Sequence, residues 1–136
     1  MEKVRRLLRQ KIKVRPLSPE EAVLDKGLAG LGDAYINFAY SIAVSVRDGR
    51  PSGVKVDNRV LAEALRRAGL RGLLPSRIDR HDMGNAAEAI IVYSWLKGAV
   101  SFEECVDILS SSDDPVEAFT LLLRMVARRL GVEVGG

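Results

Sequence analysis

Two helical stretches of this chain are apolar almost all the way round, and each carries one isolated acid. The first runs Leu31-Gly32-Asp33-Ala34-Tyr35-Ile36-Asn37-Phe38-Ala39-Tyr40-Ser41-Ile42-Ala43-Val44-Ser45, the second Gly84-Asn85-Ala86-Ala87-Glu88-Ala89-Ile90-Ile91-Val92-Tyr93-Ser94-Trp95-Leu96. Helices with so little polar surface belong inside a protein. A carboxylate carried into such a setting needs a partner, a metal, a changed protonation state or a route to water. No Lys or Arg stands three or four residues from Asp33 or Glu88 to supply an ion pair along the helix. These two acids are therefore the first candidates for chemistry.

The rest of the chain also reads as helix, with no convincing strand alternation. Ser18-Pro19-Glu20-Glu21 and Ser101-Phe102-Glu103-Glu104 have the form of capping boxes, and Asp114-Pro115-Val116-Glu117 is a third helix start. The first of these helices is expected to be interrupted or ended by Gly27, Gly30 and Gly32. Asp57 or Asn58 should cap a helix from Arg59 to Ala68, with Gly69 as its stop; Gly98 and Gly131 should end two others. At 136 residues the chain suits one domain. The expected division is a basic N-terminal arm or helix over 1–17, a single all-α domain over 18–131, and a frayed tail over 132–136.

The net charge of +3 is unevenly spread. Lys3, Arg5, Arg6, Arg9, Lys11, Lys13 and Arg15 face only Glu2 in the first fifteen residues, giving +6 there and −3 over the remainder. A basic arm on a mildly acidic body suits an anionic partner such as RNA; equally, it is a solvated terminus whose Val4, Leu7 and Leu8 dock on the body. No apolar run is long enough to span a membrane and no signal-peptide core follows the basic start, so a cytoplasmic protein is expected. Cys105 reads as a small core residue rather than a nucleophile, and Tyr93 and Trp95 as core rather than base-stacking platforms. His81, in the cluster Arg77-Ile78-Asp79-Arg80-His81-Asp82, suits surface hydrogen bonding better than catalysis.

Asp33, Asn37, Ser41 and Ser45 recur every four residues and form one stripe, while Asn85 and Glu88 share a face of the second helix. If the two faces meet, two carboxylates and an amide oxygen surround one point. Oxygen-only ligation of that kind suits Mg²⁺, which needs only one or two carboxylates plus substrate phosphates. The other reading makes Asp33 a helix N-cap and Asn85-Ala86-Ala87-Glu88 a capping box.

At these residues the chain resembles the ribonuclease III endonuclease domain. Leu31-Gly32-Asp33-Ala34 is similar to the end of that family's first acidic signature, and Asn85-Ala86-Ala87-Glu88-Ala89-Ile90 to its second, Asp-x-x-Glu-Ala. The segment Asn58-Arg59-Val60-Leu61-Ala62 through Ala68-Gly69-Leu70 resembles the intervening helix. The likeness covers about residues 20–110, and the wording looks most like a short archaeal branch without a double-stranded-RNA-binding domain. The resemblance implies an all-α homodimer that hydrolyses double-stranded or structured RNA with Mg²⁺, for which Mn²⁺ can substitute. Carried over by position, Asp33 and Glu88 are the catalytic, metal-holding acids, with Asn85 a third metal ligand. Arg5, Arg6, Arg9, Lys11, Lys13 and Arg15 are the expected RNA contacts.

Three positions depart from the pattern: Lys26 and Ala29 stand where the first signature has glutamates, and Asn85 where the second has aspartate. Asp25, Asp79 and Asp82 are the nearby acids available to compensate. These departures keep two alternatives open, a ribonuclease III-like dimer that binds structured RNA without cutting it and a helical protein-interaction module.

Overall fold

The structure, a computed structural model, describes residues 1–11 and 18–135. It contains α1 (Glu2–Lys11), α2 (Pro19–Ala22), α3 (Lys26–Asp48), α4 (Asn58–Arg67), a 3-10 turn (Arg71–Leu73), α5 (Arg80–Leu96), α6 (Phe102–Leu109) and α7 (Pro115–Leu130), and no strand among the described residues. The fold is all-α, as expected. No helix of the described residues is long and apolar enough to cross a membrane.

The architecture follows from α5, in which every residue from Ala86 to Leu96 is buried. A helix buried on all sides must be surrounded, and α3 and α4 supply the largest faces against it, with α7, α2 and α1 completing the shell. Tyr35, Trp95 and Phe102 pack in one aromatic cluster, with ring centroids 5.2 Å and 5.9 Å from Tyr35. Cys105 lies in the core and accepts a hydrogen bond from the Tyr35 hydroxyl at 3.4 Å. Tyr93 and Trp95 are buried, as their setting implied.

Most helix ends fall where the sequence places them. Asp57 caps α4 through the Arg59 amide at 2.8 Å, Ser101 and Glu104 form a reciprocal capping box, and Asp114 caps α7 ahead of Pro115. Gly49, Gly69, Gly98 and Gly131 take positive φ at or just beyond helix C-termini, where a side chain would be strained.

Two expectations are corrected. Gly27, Gly30 and Gly32 neither break nor end a helix: the Ser18-capped α2 is one turn long, and a new helix capped by Asp25 runs unbroken through all three. The intrinsic penalty of a helical glycine, about 1 kcal/mol each, is outweighed by the packing of the following turns. Secondly, Asp33 and Asn85 are not caps. Asp25 accepts from the Leu28 amide and Asp79 from the Asp82 amide, both at 2.8 Å, so both helices begin well upstream of Asp33 and Asn85. Beyond α7, the Gly135 amide donates to the Gly69 carbonyl at 2.9 Å and the Val132 amide to that of Ala127 at 2.9 Å.

The polar stripe of α3 fastens the segment that follows it. Ser45 Oγ accepts from the Ser52 amide at 2.9 Å, Ser41 Oγ from the Val54 amide at 2.9 Å, and Asn37 Oδ1 from the Val56 amide at 2.8 Å. Ser41 Oγ also donates back to the Val54 carbonyl at 3.1 Å. Ser41→Ala therefore strips both partners from a half-buried backbone unit. We expect a loss of about 1–3 kcal/mol in urea denaturation, the penalty for stranding such groups. A change below about 0.5 kcal/mol, typical of an ordinary surface substitution, would remove this role.

Candidate active site

The two lone acids meet at the base of a cleft of about 1170 Å³ walled by the first half of α3, residues 55–58, residues 75–82 and the first half of α5. Their meeting depends on Gly32. A Cβ at that position would lie 2.1 Å from the Glu88 carbonyl oxygen and 2.5 Å from its carbonyl carbon, so only glycine lets the α3 and α5 backbones touch there. Asp33, the next residue along, is thereby brought beside Glu88. Gly84 makes a second close approach, a turn earlier on α5: a Cβ there would come within 2.3 Å of the Asn58 side chain.

Glu88 is only 5% exposed and Asp33 is half-buried. Asp33 acts on the Glu88 carboxyl both as a hydrogen-bond partner and as a nearby like charge. Burial pushes the Glu88 carboxyl up to about 8, aided by that hydrogen bond and by the charge of Asp33, while Lys55 pulls in the opposite direction. Around the pair, Asn37 Nδ2 donates to Asp33 Oδ1 at 3.2 Å, and Asn58 Nδ2 donates to Asn85 Oδ1 at 3.4 Å. Asp33, Glu88 and Asn85 thus line one cavity.

The raised Glu88 value has a definite consequence in the absence of divalent cations. Its ordinary value is 4.5, so between about 4.5 and 8 the folded protein holds a proton that the unfolded chain has released. The stabilisation tied to that proton is complete below 4.5, falls as pH rises through the interval, and is gone above about 8. Thermal denaturation in EDTA should show Glu88→Gln gaining on the wild-type protein steadily as pH rises from about 5 to about 8. A difference that does not change with pH would contradict the raised Glu88 value.

The other candidates divide. Asn85 faces the cleft. Of the acids available to compensate, Asp25 and Asp79 are spent as helix caps, and Asp82 lines the cleft wall. Among the described residues no group of three or more His, Cys, Asp or Glu side chains is placed to hold a metal. His81 is exposed on the cleft wall. The basic arm lies elsewhere. Arg5 is 14% exposed, pairs with Glu2 and packs on Gly98 beyond the far end of α5, so it anchors α1 rather than facing solvent. Leu8 packs on the core, whereas Val4 and Leu7 remain about half exposed. Arg6, Arg9 and Lys11 are on exposed α1 surface away from the cleft; Lys13 and Arg15 lie outside the described residues. The cations that do line the cleft are Lys26, Lys55 and Arg77. Sequence reasoning missed Lys55 and Arg77 because nothing local to them predicts which side chains α3 and its neighbouring loop bring together.

An all-α fold with a carboxyl pair held between two packed helices defines a narrow class. The family model for Ribonuclease III matches residues 26–134, from the start of α3 to the tail, and the chain belongs to the Ribonuclease III family. Membership makes it, at the family level, a nuclease-type domain of the kind that acts on RNA with divalent metal ions. No curated protein matches the chain.

Proposed function

We propose that the protein is a divalent-cation-dependent endoribonuclease that hydrolyses phosphodiester bonds of double-stranded or structured RNA, with Asp33 and Glu88 as the catalytic acids. The observation that carries this reading is the carboxyl pair itself: two acids in contact at the base of an open cleft, with no cation in ion-pair range among the described residues. Like charges packed together in this way are unfavourable until a positive charge arrives.

The donor set fits Mg²⁺ or Mn²⁺. Asp33, Glu88 and Asn85 offer oxygens, and a hard cation of this size is held by one or two carboxylates, the remaining positions going to water and substrate phosphate. Ala29 and Asn85 in place of acids leave more of the shell to the RNA. When bound, the cation supplies Lewis acidity at the phosphate and lowers the pKa of an attacking water. The chain does the rest. Glu88 must give up its proton before it can act as a ligand, so cation affinity should rise with pH towards about 8. Asn37 orients Asp33, and Asn58 orients Asn85. Arg6, Arg9 and Lys11 offer phosphate contacts away from the cleft, giving affinity with little sequence preference.

A homodimer belongs to the same proposal. Leu31, Phe38 and Val46 are exposed along one flank of α3, Phe38 stacks on Phe102 at 5.4 Å, and a second copy of the chain is the occupant that fits this apolar strip. Sedimentation equilibrium should return twice the 14.9 kDa chain mass; a monomer at micromolar concentration would rule the dimer out.

The test is incubation of purified protein with long double-stranded RNA in Mg²⁺ and in EDTA. The proposal requires fragments in Mg²⁺ alone. Salt-sensitive binding with no cleavage in Mg²⁺ or Mn²⁺ would overturn it in favour of an RNA-binding dimer, which the substitutions at Ala29 and Asn85 would then explain.

A further inference from the structure

The segment carrying Lys55 is pinned on both sides of it. Val54 is fixed to Ser41 by two hydrogen bonds, of 2.9 Å and 3.1 Å, and the Val56 amide is fixed to Asn37 at 2.8 Å. Asn37 is the residue that also donates to Asp33. One ladder of side chains on α3 therefore sets the position of the acid and of the backbone flanking the lysine. Val54 is half-buried and Val56 buried, so the intervening side chain faces the other way, and Lys55 is exposed and lines the cleft that holds Asp33 and Glu88.

No carboxylate of the described residues lies in ion-pair range of Lys55, although the cleft wall includes Asp25, Asp57 and Asp82. Asp57 is instead engaged by Arg59 at 3.1 Å, and Asp25 caps α3. Among the cleft's cations, Lys55 is the one whose charge acts on the Glu88 carboxyl. The result is an ammonium without an ion-pair partner among the described residues, held by its backbone and facing an acid-lined cleft that an anionic polymer would otherwise avoid. A compact point charge with three donors on a flexible stem suits a phosphate oxygen.

We propose that Lys55 binds a backbone phosphate of the RNA strand lying over the Asp33–Glu88 pair and so positions that strand for cleavage. This rests on the nuclease reading and adds a substrate-positioning residue to it. Lys55 is exposed, so removing its side chain should leave the fold unchanged.

Two measurements test the assignment. In the cleavage-silenced Glu88→Gln background, affinity for double-stranded RNA is followed by fluorescence anisotropy across a KCl series, with and without Lys55→Ala. Loss of one phosphate contact should reduce the slope of log K against log salt by about 1. In the otherwise wild-type protein, Lys55→Ala should lower kcat/KM by roughly 10-fold to 100-fold, somewhat below the loss seen for a buried charge-stabilising donor. Lys55→Arg should retain the slope and recover most of the rate, with all three proteins melting together. An unchanged slope, or a rate within about twofold of wild type, overturns the role of Lys55 while leaving the nuclease intact. If wild-type protein neither cuts nor binds RNA, the nuclease reading fails and Lys55 falls with it.

Discussion

Glu88→Gln should abolish RNA cleavage and at the same time stabilise the metal-free protein at neutral pH. The amide is close to isosteric with the carboxyl, leaves no cavity, and can still hydrogen-bond to Asp33. What it removes is a negative charge. For folding that is a gain, because Glu88 is 5% exposed and its ionised form is opposed by burial and by Asp33. For catalysis it is a loss, because one of the two carboxylates that meet in the cleft is gone. A fall of about 10³-fold or more in kcat is expected, at the upper end of what deleting a single charge-stabilising group does. Opposite signs for stability and activity are the mark of a group kept for function against the interest of the fold. A variant that is both less stable and still active within about fivefold would show that the acid serves packing alone.

The second large effect belongs to a residue with no chemistry of its own. Gly32→Ala should destabilise the protein by about 2–4 kcal/mol, because overpacking of this severity exceeds the roughly 1 kcal/mol of helix propensity gained by replacing glycine. It should also reduce cleavage in the surviving folded fraction. The added methyl would sit 2.1 Å from the Glu88 carbonyl oxygen, and the obstacle is backbone, which has no rotamer to yield. Relief requires α3 and α5 to separate, which moves Asp33 from Glu88; displacements on the order of 1 Å at a reacting centre cost about 100-fold in rate. Gly30→Ala is the matched control, since nothing lies within 4 Å of a Cβ there. It should be neutral or slightly stabilising. Equal stability for the two alanine variants in urea denaturation would contradict the close helix crossing.

The contrast between those two glycines also marks the limit of sequence reading. Local signals carried the helix ends at Asp57, Ser101, Asp114 and Gly131, because a cap is decided within a turn of itself. The all-round apolar character of residues 86–96 correctly marked the central helix. Gly30 and Gly32 look alike in sequence, however, and differ only in what another helix brings to them. The same limit explains the caps: Asp33 follows glycines and Asn85 begins a capping-box pattern, yet caps at Asp25 and Asp79 start both helices earlier and carry the acids into their interiors. The four-residue stripe on α3 was legible as a stripe, but its partners, the backbone of Ser52, Val54 and Val56, come from an irregular segment with no periodic signal. Lys55 was invisible for that reason. Arg5 illustrates the reverse error, a charge counted as belonging to a solvated arm that instead packs against Gly98.

The most direct test of the paired acids is the anomalous scattering of Mn²⁺ in a crystal grown near pH 8, where Glu88 is free to ionise. A metal held by the pair would give a peak within bonding distance of carboxylate oxygens from both Asp33 and Glu88, absent from the Glu88→Gln variant, and that is the expected result. A cleft free of density under saturating Mn²⁺, or a peak held by Asp57 or Asp82 and not by Asp33 and Glu88, would contradict it.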